Sequence, residues 1–123
     1  MTLILDAGAF IAIERGDRVV LARVALAQRE REAIVTSAAA VAQVVRNSAR
    51  QVRLQRSLAI VDERPLDRHV ARQIGALLAT SGGSDVVDAA IAVLAVQGDE
   101  LLTSDPGDLR ALVGEQDITI TTV

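Results

Sequence analysis

The feature that most constrains the fold is a short apolar run that ends at an acid and passes at once into a helical pattern. The first such run covers residues 2–5 and ends at Asp6, and helical spacing follows over residues 7–14. Later runs repeat this alternation. Because strands that alternate with helices pair in parallel, the sequence predicts an α/β, three-layer fold with a central parallel sheet of four to five strands and helices on both faces.

The chain of 123 residues has the length of one domain, so we expect a single domain over residues 1–123. The predicted strands are 2–5, 33–36, 59–62, 100–103 and 118–122. The predicted helices are 7–14, 17–32, 37–47, 50–58, 67–80, 85–96 and 106–113.

Missing residue types exclude several kinds of site. The chain has no Cys and no Lys, and His69 is its one histidine. These counts exclude thiol catalysis, cysteine-ligated metals, P-loops and Schiff-base chemistry. We expect His69 on the surface without a catalytic role. A net charge of −3 argues against bulk capture of nucleic acid, although a local basic patch is still possible. With no apolar run of about 18 residues and no basic leader, we expect a cytoplasmic protein without a membrane span.

Acids stand where strands end and helices begin. Asp6 and Asp105 follow predicted strands, and Asp85 and Asp88 open an apolar helix one turn apart. Ligands of an open parallel sheet bind at the carboxyl ends of its strands, so these carboxylates are candidates for one site.

Helix capping is the alternative interpretation, because Asp6, Asp85, Asp105 and Asp108 each precede a plausible helix. Capping explains Asp88 less well, since this residue lies inside an apolar helix where an unpaired carboxylate is costly. Mg²⁺ or Mn²⁺ would neutralise several converging acids in a chain without lysine.

Other acid-based sites do not fit the sequence. A dehalogenase-type phosphatase needs a second aspartate two residues after the first, where this chain has Gly8. A response-regulator receiver needs a late lysine, and no glycine-rich dinucleotide motif follows the first strand. What remains is metal-dependent phosphodiester chemistry on scattered aspartates.

Three segments together resemble the PIN domain, specifically the VapC-type toxin ribonucleases of bacterial toxin–antitoxin pairs. They are LILDAGAFIA at 3–12, SDVVDAAIA at 84–92 and LLTSDPGDL at 101–109. The resemblance implies a Mg²⁺-dependent endoribonuclease with a site of four acids. It assigns metal binding to Asp6, Asp88 and Asp105, support to the Thr103 hydroxyl and a lesser role to Asp108.

The second acid of that family pattern is missing. The family has a glutamate in the helix after the second strand, where this chain has Gln43. Glutamine keeps the shape and a carbonyl oxygen but loses the charge, so we expect weaker Mg²⁺ binding. Asp85, or less plausibly Glu14, could restore the fourth charge.

Four arginines follow this position at helical spacing. On one continuous helix they would form a basic face able to contact RNA phosphates, although a solvated helix face is the simpler interpretation. The four are Arg46, Arg50, Arg53 and Arg56.

Three hypotheses therefore stay open. The first is a metal-dependent endoribonuclease that acts as a toxin on an RNA substrate. The second is a PIN domain, weakened by Gln43, that binds RNA or its antitoxin without efficient cleavage. The third is a structural α/β domain whose aspartates only cap helices. The resemblance also implies a cognate antitoxin chain and a homodimer.

Overall fold

A five-stranded parallel sheet forms the centre of the computed structural model, which describes residues 1–123. The spatial order of the strands is β3-β2-β1-β4-β5. In chain order the strands are β1 (Thr2–Leu5), β2 (Ala33–Ser37), β3 (Asp62–Arg64), β4 (Glu100–Thr103) and β5 (Thr119–Thr122). The predicted α/β class and parallel sheet are confirmed.

Seven helices cover the two faces of the sheet. They are α1 (Ala7–Glu14), α2 (Arg18–Arg29), α3 (Ala38–Val44), α4 (Val52–Leu58), α5 (Arg68–Ser81), α6 (Val86–Ala92) and α7 (Pro106–Val113). In β1, Leu3 and Leu5 pack in the core under α1, α2 and α4, while Ile4 packs in the core under α6 and α7. Successive strand residues point to opposite faces, so this buried run supplies both cores. No single helix is long and apolar enough to cross a membrane, and α5 and α6 reach that length only together, across a bend of 103°.

The strand order determines where a site can form. The chain runs outward from β1 through β2 to β3, then returns and continues on the other side with β4 and β5. This reversal beside β1 opens a crevice at the carboxyl ends of β1 and β4. Leu5 pairs with Leu102, so the next residues, Asp6 and Thr103, face each other at that edge.

The third strand was predicted at 59–62 but lies at Asp62–Arg64, so that prediction is wrong by about three residues. Ala59 and Ile60 instead end α4, where their backbone amides donate to the carbonyls of Gln55 and Ser57 at 3.2 and 3.1 Å. The observed strand is short, charged and at an edge, a combination that discourages pairing with other chains.

The apolar helix predicted over 85–96 is shorter and ends at Ala92. Beyond it the backbone tightens into i→i−3 turns, with the amide of Ala95 donating to the carbonyl of Ala92 at 3.2 Å. The carboxylate of Asp99 then accepts from the amide of Val96 at 3.0 Å, which ends the helical path. Apolar composition could not reveal this capture of a backbone amide.

Candidate active site

Asp6 is held rigidly at the end of β1. Its side chain is 5% exposed and N-caps α1, with Oδ1 accepting from the amide of Ala9 at 3.2 Å. Oδ2 accepts from the hydroxyl of Thr103 on the neighbouring strand. Burial raises the pKa of Asp6 above its ordinary value, against the lowering effect of these hydrogen bonds.

Thr103 joins the ends of the two central strands. Its fully buried hydroxyl donates to Asp6 and accepts from the backbone amide of Asp105 at 2.9 Å. The Thr103 side chain therefore fixes the positions of both the Asp6 carboxylate and the backbone at Asp105.

Helix capping accounts for one of the two acids that precede α6 and α7 but not for the other. Asp85 N-caps α6, with Oδ1 accepting from the amide of Asp88 at 2.9 Å. Asp105 occupies the corresponding position before α7, yet its exposed carboxylate makes no capping hydrogen bond. Capping alone therefore explains Asp85 but does not explain Asp105.

Asp88 lies among the other carboxylates. It is half-buried in the first turn of α6, and its pKa is raised to about 6, first by burial and then by other acids. The acids that repel its charge are Asp85, Asp105, Asp6 and Asp108. No basic side chain forms an ion pair with any of them, since the three salt bridges join Arg23 to Glu32, Arg23 to Glu100 and Arg64 to Asp62. We call these five acids the carboxylate cluster.

The donor chemistry of the carboxylate cluster suits a hard divalent cation, but the cluster is not a closed cage. No group of three or more Asp, Glu, His or Cys side chains is arranged around one ion position. Mg²⁺ commonly binds through one or two carboxylates and keeps several waters and substrate phosphates. An open carboxylate edge is consistent with that mode.

A cavity of about 260 Å³ opens beside the carboxylate cluster. Three of the acids line it, and the end of α5, the loop before α6 and the helix α7 complete its walls. The acids are Asp85, Asp88 and Asp108. The edge of the sheet therefore combines unpaired carboxylates with room for a ligand.

Comparison with known proteins agrees with this geometry. The sequence matches the PIN domain family over residues 3–113. The chain belongs to the PIN domain family. No curated protein matches the sequence closely enough to count as a relative.

Two solved structures of similar fold superpose on this chain over nearly its full length. A chain in the crystal structure of VapBC2 from Rickettsia felis, bound to a DNA fragment from their promoter, superposes with a TM-score of 0.75. The sequences are 15% identical, over 100% of this chain and 99% of that one. A chain in the DNA-bound VapBC structure from Salmonella typhimurium has a TM-score of 0.66 at 18% identity, over 99% and 98% of the two chains.

The side chains of Gln43 and Glu14 make no hydrogen bond to the carboxylate cluster of this PIN domain. Gln43 lies exposed on α3, and its side chain makes no hydrogen bond within the chain. Glu14 ends α1, about 12 Å along the helix from Asp6. The Glu14 carboxylate is not among the charges that raise the pKa of Asp88.

The predicted continuous arginine face is wrong, because the helix is broken. Asn47 adopts a left-handed φ of 52°, and Ser48 accepts from the amide of Arg50 at 3.1 Å to start a single 3₁₀ turn. Buried Gln51 stabilises the break by donating to the carbonyl of Val44 at 2.7 Å. Asparagine tolerates this conformation, so Asn47-Ser48 was the sequence signal for the break. The basic side chains are divided among the loop (Arg46), the 3₁₀ turn (Arg50) and α4 (Arg53, Arg56).

Two buried polar networks were missed at the sequence level. Arg23 on α2 donates to Glu32 at 3.0 Å and to Glu100 at 2.9 Å, which ties the helix to the starts of β2 and β4. Asp99 accepts from the backbone amides of Thr2 and Val96, both at 3.0 Å. Arg23 and Glu100 lie 77 residues apart and Thr2 and Asp99 lie 97 residues apart, so no local motif indicates these two contacts.

The raised pKa of Asp88 predicts a pH-dependent effect of Asp88→Asn on stability. Between about pH 4 and 6 the folded chain retains a proton that the unfolded chain has released, so the wild type loses stability as pH rises through this range. Asparagine stays neutral, so we expect its Tm to exceed that of the wild type by about 2–5 °C at pH 7.5 and to differ little at pH 4. Calorimetry in EDTA measures this difference.

Asp62→Asn, on the exposed edge strand β3, is the matched control. It removes the same charge away from the carboxylate cluster and should show no such gain at pH 7.5. Equal Tm shifts in the two variants would mean that repulsion within the cluster does not destabilise the fold.

Proposed function

We propose that this PIN domain is a Mg²⁺-dependent endoribonuclease of the VapC type, which hydrolyses phosphodiester bonds in RNA. The observation that carries the proposal is a half-buried carboxylate, Asp88, repelled by four other acids at a sheet edge where no basic side chain forms an ion pair with them. A structural surface gains nothing from such repulsion, whereas a site that binds Mg²⁺ and a phosphate requires the negative charge.

The residues proposed to hold the metal are Asp6, Asp88 and Asp105, of which one or two would bind Mg²⁺ directly while the others act through its bound waters. Bound Mg²⁺ would supply Lewis-acid activation of a water and neutralise charge on the phosphate. Asp6 is suited to this role because two neighbouring groups, the amide of Ala9 and the hydroxyl of Thr103, fix its carboxylate before any ligand arrives. Preorganised groups of this kind need no rearrangement during the reaction.

The supporting residues act by positioning. Thr103 holds Asp6 and the backbone of Asp105, and Asp85 caps α6 so that the helix begins one turn before Asp88. Asp108, in the first turn of α7, contributes charge to the adjoining cavity. Asp85 thereby adds a fourth carboxylate where Gln43 adds none.

We also propose a protein partner of the antitoxin class and a homodimer. The similar chains come from VapBC structures, which supports a partner chain. Size-exclusion chromatography with light scattering on the protein co-expressed with its neighbouring open reading frame tests both assignments.

The second candidate is a PIN domain that binds RNA or its antitoxin without efficient cleavage. The exposed, unbonded Gln43 favours it, since the family position for a glutamate carries no charge here. This candidate predicts that Mg²⁺ at millimolar concentration leaves the Tm unchanged.

Cleavage of a total cellular RNA pool by the purified protein tests the proposal. We expect discrete cuts with Mg²⁺ or Mn²⁺ and none with EDTA. We expect Gln43→Glu to raise the rate at limiting Mg²⁺ by about 10-fold, because an added carboxylate strengthens metal binding. A folded protein that cuts no RNA with either metal, with or without Gln43→Glu, would contradict the nuclease assignment.

A further inference from the structure

We propose that an RNA strand bound at the carboxylate cluster extends into a second cavity, where Arg15 and Ser104, with Arg53 at the edge of the cavity, bind its phosphodiester backbone. This inference rests on the proposed ribonuclease function. The cavity measures about 460 Å³ and lies between the start of α1, the turn from α1 to α2 and the loop from β4 to α7. Its polar side chains are Arg15, Asp17 and Ser104, and its apolar wall is Ile11, Ala12 and Val123.

The two cavities flank the carboxylate cluster. Ser104, which lines the second cavity, directly precedes Asp105, whereas Asp108 lines the first cavity. Gly8, two residues after Asp6, also lines the second cavity. A strand that enters one cavity and leaves through the other therefore crosses the carboxylates, which is the path that cleavage within a chain requires.

Because Gly8 has no side chain, the Ser104 side chain can pack directly against its backbone. A Cβ atom at position 8 would lie 2.8 Å from the Cβ of Ser104 and 2.9 Å from its backbone nitrogen, closer than real side chains approach. The serine therefore sits where a side chain at position 8 would project. Its exposed hydroxyl makes no hydrogen bond within the chain, so it is free to donate to a phosphate oxygen.

One guanidinium group lines this cavity and a second lies at its edge. Arg15 is a lining residue. Arg53 lines a neighbouring cavity between α2 and α4 and reaches Gly16, where a Cβ atom would lie 2.9 Å from its Nη1, which also donates to the carbonyl of Glu14 at 3.4 Å. Neither arginine forms a salt bridge. Asp17 also lines the cavity, and its Oδ1 caps α2 by accepting from the amides of Val19 and Val20 at 3.0 Å each.

This combination fits a nucleic-acid backbone. Guanidinium groups and a hydroxyl bind phosphate oxygens, while the apolar wall, with Ile11 39% exposed, can contact a ribose or base edge. The wall carries no aromatic side chain, so we expect contacts that do not depend on base sequence.

RNA binding in a cleavage-silenced background tests the cavity directly. In Asp6→Asn protein, fluorescence anisotropy measures the Kd for a labelled single-stranded RNA of mixed sequence between 50 and 200 mM salt. We expect Arg15→Gln and Arg53→Gln each to raise the Kd by about 3–10-fold and to lower the slope of log Kd against log salt by about 0.7. Arg72→Gln, an equal charge loss on α5, should stay within about twofold of its parent.

Each other outcome has a defined meaning. If the wild type cleaves RNA but both variants bind like Arg72→Gln, the second cavity is not an RNA site and the nuclease function stands. If the wild type neither cleaves nor binds RNA, both proposals fail. If a polyglutamate peptide displaces RNA as well as unlabelled RNA of equal length does, the cavity binds acidic peptides and the present inference is overturned. Melting temperatures confirm that each variant is folded.

Discussion

Replacing Asp6 with asparagine is expected to lower metal-dependent RNA cleavage by more than about 100-fold, since the loss of even an outer-shell partner of a metal ligand costs 10–100-fold. The fold should survive. An asparagine oxygen can still accept from the amide of Ala9, and its amino group can donate to the hydroxyl of Thr103. The substitution also removes the energetic cost of burying a charged carboxylate, which is the main cause of the raised pKa of Asp6. Cleavage assays and Tm on the same preparation measure both effects.

Two further variants separate charge from position. Asp62→Asn should cleave like the wild type, since it lies on the edge strand β3. Thr103→Val keeps every carboxylate but removes the hydroxyl that joins Asp6 to the backbone of Asp105, so we expect an intermediate loss of about 10–100-fold. Wild-type cleavage by folded Asp6→Asn would place the active site elsewhere.

Replacing Asp99 with alanine is expected to cause the largest loss of stability, about 2–3 kcal/mol, or roughly 8–12 °C in Tm. Asp99 is 4% exposed, and its two oxygens accept from the amides of Thr2 and Val96. Alanine leaves both donors without this partner, one at the start of the central strand and one in the turns that follow α6. Denaturant unfolding followed by circular dichroism measures the change.

Asp67→Ala is the comparison for that variant. Asp67 caps α5 from an exposed position through one hydrogen bond to the amide of Val70, so its loss should cost about 1 kcal/mol. Asp99→Asn, which keeps an acceptor oxygen, should lie between the two. Equal losses for Asp99→Ala and Asp67→Ala would show that the link between Thr2 and Val96 adds little to stability.

The fold was predictable where local pattern and long-range packing agree. The apolar run 2–5 closed by an aspartate marks β1, and the same rule finds β4. The third strand was misplaced because the helical hydrogen bonds of α4 continue through Ala59, and the break after α3 begins at Val45, earlier than predicted. At the break the backbone is directed by single polar contacts, such as that between Gln51 and the carbonyl of Val44, which hydrophobic periodicity does not register.

The candidate site was predictable as a set of acids but not as an arrangement. Strand ends identified Asp6 and Asp105, and burial in an apolar helix identified Asp88. The different duties of Asp85 and Asp105, one capping its helix and the other free, depend on side-chain rotamers that the sequence does not reveal. Ser104 was missed as well, because its importance follows from contact with Gly8, 96 positions away in the chain.

The position of β1 in the sheet has a consequence for synthesis on the ribosome. This strand is made first, yet it pairs on one side with β4, which begins only at Glu100. A nascent chain therefore leaves one edge of β1 open, and Asp6 without Thr103, until most of the polypeptide has emerged. If the proposed ribonuclease function holds, a chain that has not yet formed β4 lacks the contact that positions Asp6, and we expect it not to cleave the messenger or the ribosomal RNA beside it.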